Sequence, residues 1–331
     1  MKKTLVALAV AGISTSALAA GNIYDNGTTS FNLKGEIDTY VSTVEDNGKT
    51  TEDNGKTTVK RDVKRDVDVD LWAKIQIDAE HKLNEDIKVF GSFELENGEF
   101  FDKDSSSDNA RVRTDDLYFG AYFGDNWGVA LGEVGDFGDS LDAITIDNTN
   151  EGLGYVDDFV KSKESAGHAV SVKGSFDKLT VIADAYLDQN EKIDTAFGLS
   201  AQYAINDMFT VGASYQDQEN RDVAGTDYQV MGAAVRFNMD NFSAAVNYVA
   251  EELNKADQDT WSAVAAYQMN EARVYTSFGF TEYEGDHDQS YYTFGADYAV
   301  TGNVLTFIEY TASENDEKNV SKVVAGVYYT F

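Results

Sequence analysis

Val67-Asp68-Val69-Asp70-Leu71-Trp72-Ala73-Lys74-Ile75-Gln76-Ile77-Asp78-Ala79-Glu80 alternates without a break. Every odd position is apolar, and the even positions carry Asp68, Asp70, Lys74, Asp78 and Glu80. Successive side chains of a strand point to opposite faces, so this segment reads as a β-strand with one dry face and one wet face. A helical period would scatter the charges all round. The same alternation runs upstream, with Phe31, Leu33, Gly35 and Ile37 set against Asn32, Lys34, Glu36 and Asp38. It also closes the chain. Val323, Ala325, Val327, Tyr329 and Phe331 share one face, and Lys322, Val324, Gly326, Tyr328 and Thr330 share the other. A terminal strand frays unless it docks into a sheet, so this ending needs a partner strand.

Further alternating segments fall at 87–95, 117–123, 127–132, 170–176, 179–187, 197–205 and 209–215. The series continues at 231–237, 242–248, 261–269, 272–280, 292–298, 304–310 and 323–331, which with the first two predicts sixteen strands. Tight connections lie at Asn84-Glu85, Gly124-Asp125-Asn126, Asp177-Lys178, Asn206-Asp207, Asp240-Asn241, Asn270-Glu271 and Thr301-Gly302-Asn303. Their Asn, Asp and Gly residues allow hairpin turns. Longer polar connections lie between them, at 45–66, 102–110, 134–168, 188–193, 216–227, 249–258, 281–289 and 311–321. Strict alternation of short and long connections is the signature of an antiparallel membrane barrel, small turns at one rim and large loops at the other. The expected fold is therefore all-β, a 16-stranded antiparallel transmembrane barrel. Sixteen strands leave a water-filled bore, whereas eight would be plugged by side chains.

The chain starts with Lys2 and Lys3, a short apolar run from Leu5 to Ala11, and Ala17-Leu18-Ala19. That order predicts a signal peptide over 1–19 and a barrel domain over 20–331. No later segment approaches the roughly 20 consecutive apolar residues of a helical span. With 58 acidic against 26 basic residues the formal charge is −32. Nucleic acid is excluded as a partner, because phosphate binding needs basic surface. Cysteine is absent, which removes disulfides and thiolate metal sites, and proline, which breaks sheet ladders, is absent as well. His81, His168 and His287 stand apart from one another, and no G-x-S-x-G exists. No catalytic site, metal site or cofactor is expected. Residues 45–51 recur as 52–58, and 59–62 as 63–66, a duplication that a polar surface loop tolerates.

The longest connection, 134–168, is not simply polar. Phe137, Leu141, Ile144, Ile146, Leu153, Tyr155, Val156, Phe159 and Val160 punctuate it, which predicts that it packs against the barrel wall. It also carries Asp136, Asp139, Asp142, Asp147 and Glu151. Folded into the bore, these carboxylates would line a constriction and favour cations.

The chain resembles the general diffusion porins of the Gram-negative outer membrane, on a Vibrio-like branch. The likeness covers Phe31-Asn32-Leu33-Lys34-Gly35-Glu36-Ile37-Asp38, the long connection after the fifth strand, and the ending Tyr328-Tyr329-Thr330-Phe331. It implies a homotrimer in the outer membrane, one pore per subunit, with periplasmic turns, extracellular loops and the third loop folded inward. That loop in such porins carries proline-glutamate-phenylalanine-glycine-glycine. Here Val134-Gly135-Asp136-Phe137-Gly138-Asp139 takes its place, with aspartate for glutamate and no proline. The resemblance further implies that barrel-assembly machinery reads the terminal aromatics, Phe331 and Tyr329. It also implies a basic wall facing the loop. Inward parity nominates Lys34 and Lys74 for that wall, with Lys88 nearer the turn, and Arg111 and Arg113 precede the fourth strand. Lys173, Arg236, Arg273 and Lys322 also face inward and read as plain lining. Trp127, Phe123, Tyr203, Phe209, Phe237, Phe242 and Tyr298 cluster at strand ends, as an interfacial aromatic belt would. The implied partners are outer-membrane lipid, lipopolysaccharide bridged through divalent ions, and small hydrophilic solutes and cations. The expected function is passive diffusion, with a substrate-specific channel or a barrel-anchored surface adhesin or phage receptor as alternatives.

Overall fold

Period-two patterning and hairpin turns produce an up-and-down sheet in the computed structural model, which describes residues 21–48, 51–53, 56–58, 63–97, 112–151, 168–221, 225–284, 287–315 and 318–331. The leader at 1–19, Arg111, the distal loop residues 152–167 and much of the duplicated segment lie outside the described residues. The barrel strands are β1 Thr29–Gly48, β2 Val63–Lys82, β3 Ile87–Asn97, β4 Arg113–Phe123, β5 Trp127–Gly132, β6 Ala169–Phe176, β7 Leu179–Tyr186 and β8 Ala196–Ala204. Then come β9 Phe209–Gln218, β10 Tyr228–Met239, β11 Phe242–Leu253, β12 Ala256–Met269, β13 Ala272–Tyr283, β14 His287–Thr301, β15 Val304–Asn315 and β16 Lys318–Thr330. Each pairs antiparallel with its neighbour, and β16 returns to β1, from Lys318↔Gly48 to Thr330↔Glu36.

The closing seam continues past the last strand. Gly35 N donates to Phe331 O at 2.8 Å and Phe331 N donates back at 2.9 Å. Beyond that point a short N-terminal strand, Gly21–Asp25, takes over as partner of β1, starting at Gly21↔Leu33. The Phe331 ring lies across Gly35, where an added Cβ would meet Cζ at 2.1 Å. Glycine at this position is thus a space requirement: the terminal ring occupies the place of a side chain.

The predicted strands match best at the tight-turn rim and run longer at the other. β10 extends from the expected 231–237 to Tyr228–Met239, and β12 from 261–269 to Ala256–Met269. As a result the connection expected at 249–258 shrinks to Asn254-Lys255, both at positive φ (52° and 70°). Those expected at 281–289 and 311–321 shrink likewise, because β13 to β16 reach into them. The reason is physical. Apolar alternation marks only the part of a strand that meets an apolar medium, while ladder hydrogen bonds continue among polar residues.

The outward face is mainly apolar along the middle of the strands. Val67, Val69, Leu71, Ile75 and Ile77 of β2 are exposed, as are Phe197, Leu199 and Tyr203 of β8. Of the expected belt, Phe123, Trp127, Tyr203, Phe209, Phe242 and Tyr298 lie exposed at the tight-turn rim. Phe237 is half-buried, its ring 4.9 Å from that of Phe209 and 6.1 Å from that of Phe242. The inward face is mixed: apolar patches around Phe90, Val230 and Val264 interrupt a polar lining that includes buried threonine pairs such as Thr260–Thr281 at 3.0 Å and Thr293–Thr311 at 2.9 Å.

Leu199→Arg on the outward face of β8 should cost about 2–4 kcal/mol of folding stability in lipid vesicles. The same change at inward Gln202 should stay within about 0.5 kcal/mol. Urea titration of the refolded protein measures both, and an outward arginine tolerated as well as the inward one contradicts a lipid-facing surface.

Candidate functional site

The third loop leaves β5 and turns into the bore. Val134 and Phe137 bury themselves with Phe90, Ala130, Ala169 and Tyr186, and the Phe137 ring stacks on Phe90 at 5.4 Å. Gly138 follows at φ 147°, and Asp139 then caps a single 3-10 turn, Ser140–Ala143. The Asp139 carboxylate accepts from Leu141 N at 2.7 Å while Asp142 accepts from Asp139 N at 3.1 Å, a reciprocal capping box. Beyond the turn Leu141 and Ile144 pack on Tyr228, Val230 and Val249, and Ile146 packs on Ala234, Ala245 and Val264. The apolar residues that marked this loop in the sequence are those that seat it on the inner wall.

Polar groups fix the backbone path. Lys173 Nζ donates to Phe137 O at 2.9 Å and Ser171 Oγ to Gly138 O at 2.9 Å. Asp184 accepts from Ser140 N at 2.6 Å. Arg236, itself buried, gives hydrogen bonds to the carbonyls of Ala143 (2.9 Å), Asp142 (3.0 Å) and Thr145 (2.6 Å), and Asn247 gives one to Ile144 O at 2.8 Å. Asn148 Nδ2 bonds the strand carbonyls of Ala265 and Thr276. On β15 the Glu309 carboxylate, 1% exposed, accepts from the amides of Asn150 at 2.6 Å and Glu151 at 2.7 Å and from the Tyr275 hydroxyl at 2.8 Å. The wall makes room for the turn: a Cβ on Gly212 would sit 2.1 Å from Ala143 O. Lys173 and Arg236 are therefore loop anchors, not the plain lining the sequence implied. Arg273 pairs with Asp297, and Lys322 lies 5.9 Å from the Tyr40 ring.

The described part of the loop, up to Glu151, contacts the inner faces of β6–β13, β15 and β16 and meets β2–β4 at Asp136 and Phe137, while the rest of the β1–β4 wall faces the passage. The expected acids divide. Asp136 and Asp142 are exposed inside the barrel; Asp136 also accepts from Gln76 Nε2 at 3.0 Å. Asp139 is buried as the cap and accepts from the Tyr186 hydroxyl. Asp147 accepts from its own neighbour Thr149, and Glu151 from Tyr328 at 2.7 Å.

The nominated basic residues stand among carboxylates. Lys34 and Lys74 do face inward, but Lys34 lies 2.7 Å from Asp78 and Lys74 3.4 Å from Glu94. Lys88 lies 2.9 Å from Glu80, and Arg113 pairs with Glu96. Glu36, Asp38, Asp115 and Asp116 share that lining. Carboxylates therefore outnumber cations on the wall as well as on the loop. Parity in the sequence located these side chains; their pairing depends on cross-strand register, which no single strand displays.

A closed antiparallel barrel, apolar outside, polar within and narrowed by its own loop, defines a passive channel through a membrane. The chain belongs to the Gram-negative porin family, which its sequence matches over residues 4–318. It is 25% identical to the outer membrane porin protein OmpD of Salmonella typhimurium, with the whole of both chains covered. In fold it is similar to a loop-deletion mutant of OmpT, an outer membrane protein of Vibrio cholerae, at TM-score 0.73 and 14% identity, over 92% of this chain and 100% of that one. It is also similar to a trimer form of the same OmpT at TM-score 0.70 and 13% identity, over 92% and 100%. The protein is an outer-membrane porin, a general diffusion channel.

Two expectations follow from the anchoring. Arg236→Ala removes hydrogen bonds to a charged donor worth roughly 1.5–3 kcal/mol each. The loop should detach more often, raising current noise and mean conductance in planar bilayers, and Arg236→Lys should recover part of the quiet state. The second concerns pH. Burial, with Asp184 close by, pushes Asp139 up to about 8, and enclosure raises Asp142, Asp147 and Glu151 as well. An acid whose folded value is raised favours the docked loop while protonated. Docking should therefore weaken as pH rises from the ordinary carboxylate range through about 8. Channel noise recorded from pH 5 to 9 should increase, and Asp139→Asn should flatten the trend.

Proposed function

We propose that this porin passes small hydrophilic solutes and prefers cations to anions. One observation carries the reading: Lys34, Lys74, Lys88 and Arg113 on the β1–β4 lining each have a carboxylate partner, and further carboxylates remain on both sides of the passage. Asp136, Asp142 and Glu151 contribute from the loop. A lining of one sign raises the local concentration of the opposite ion. Size exclusion sets the upper limit on neutral solutes.

The functional unit is a homotrimer with a pore in each subunit, in keeping with the trimer form of the structurally similar protein from Vibrio cholerae. Residues 1–19 direct export and are removed, leaving 20–331 as the barrel. Tyr329 and Phe331, on the outward face at the closing seam, form the signal read by the assembly machinery. At the outer rim, divalent ions bridge acidic loops to lipopolysaccharide phosphates.

Reversal potentials in planar bilayers under a potassium chloride gradient test the electrostatic claim. The sign should report potassium over chloride, and the preference should shrink when Asp136 and Asp142 are both replaced by Asn. Chloride preference overturns the selectivity; a bilayer that never conducts overturns the channel.

A further inference from the structure

Gln76 lies on the inner face of β2 with 3% of its surface exposed. Its amide nitrogen reaches three acceptors: Ser92 Oγ at 2.9 Å, Asp78 Oδ1 at 3.0 Å and Asp136 Oδ2 at 3.0 Å. Two of the three are carboxylates, which only accept, so the amide presents its nitrogen to them. Asp78 is balanced by other groups. Lys34 Nζ lies 2.7 Å from its Oδ2, and Ser92 Oγ donates to its Oδ1 at 2.9 Å. Asp136 is not balanced in this way. Among the described residues it enters no ion pair, and it is exposed inside the barrel.

The start of the third loop is thus tied at two points. On β4 the ladder slips opposite Glu94, where Phe93 pairs with Leu117 and Leu95 with Thr114. The bulge re-aims Asp116, whose Oδ1 accepts from Asp136 N at 3.4 Å. On β2, Gln76 holds the carboxylate of the same residue. Of the two ties, only the second touches the charge. A lysine or arginine in that place would hold the carboxylate and cancel it. An amide holds it and leaves the charge whole.

We propose that Gln76 is a positioning residue for ion selection: its uncharged amide fixes the Asp136 carboxylate at the edge of the passage with its full negative charge. The inference rests on the cation preference proposed above and names a group that maintains it. Without that amide, Asp136 would turn to the Lys74 ammonium, two residues along the same face of β2, on which its charge already acts. Lys74 Nζ stands 3.4 Å from Glu94 and would then serve both carboxylates. The charge that Asp136 shows the passage would be largely cancelled, with no change in the formal charge of the chain.

Gln76→Met keeps the bulk of the side chain and removes both N–H donors. Reversal potential and current noise are recorded in planar bilayers under a potassium chloride gradient for the unaltered protein, Gln76→Met, Asp136→Asn and the double variant. Gln76→Met should lower the potassium-to-chloride permeability ratio roughly two- to fivefold, the influence of one unit charge a few ångströms away in water. Asp136→Asn should lower it as far, and the double variant no further, because the two residues act as one unit. Noise should separate them. Asp136→Asn retains an acceptor for Gln76 and should stay quiet, while Gln76→Met unties the loop and should be noisy. A role confined to holding the barrel together would raise the noise of Gln76→Met without moving its reversal potential. Where Gln76→Met lowers barrel yield, Gln76→Ala, which leaves room for water, decides in its place. An unchanged permeability ratio, or effects of the two substitutions that simply multiply, overturns the role of Gln76 and leaves the cation preference standing. An unaltered channel that prefers chloride overturns that preference and this inference with it.

Discussion

Hydrocarbon offers no hydrogen bonds, so every peptide group inside a bilayer must find its partner within the protein. The rest of this structure depends on the contact that satisfies the last of them, the pairing of β16 with β1. A sixteen-stranded sheet left open would expose two edges to lipid. Here the seam runs from Lys318↔Gly48 to Thr330↔Glu36, then through Phe331 and Gly35, and finishes on the N-terminal strand. The two ends of the chain thus complete one ladder. Closure also separates two solvents: outward residues meet an apolar medium, inward ones meet water, and a strict alternation serves both.

Once the sheet is closed, the bore sets the terms for everything inside. The third loop can enter only if its own backbone is satisfied there, since it leaves the sheet and carries carbonyls and amides of its own. Arg236, Asn247, Lys173, Asp184 and Glu309 meet that demand along the wall, and apolar residues from Val134 to Ile146 seat the loop between them. The passage left along β1–β4 is lined by acids whose cations are already engaged. An ion pair such as Lys34–Asp78 keeps a positive charge in the lining without a net positive field.

Much of this was legible in the chain. Alternation located the strands wherever an outward residue meets an apolar surroundings, and hairpin residues located the tight rim. The far ends of β10 to β16 were not legible, because a ladder among polar residues leaves no hydrophobic mark. The loop's inward course was written in Phe137, Leu141, Ile144 and Ile146. Its anchors were not: Arg236 and Glu309 are single polar residues on inward faces, indistinguishable from lining until the loop is placed against them. The pairing of Lys34, Lys74 and Arg113 with neighbouring carboxylates depends on cross-strand register. The bulge at Glu94 depends on a slip of one residue that sequence parity conceals.

The central claim is that hydrocarbon wets one face of the sheet and water the other. The chain has no cysteine, so spin labels can be attached one at a time along β2. Collision rates with oxygen and with a water-soluble nickel chelate should alternate with period two. Labels at Val67, Val69, Leu71, Ile75 and Ile77 should favour oxygen, and those at Asp68, Asp70, Lys74 and Asp78 should favour nickel. Equal access of both reagents to the two faces, or an inner face reached by neither, would contradict a membrane barrel with a water-filled bore.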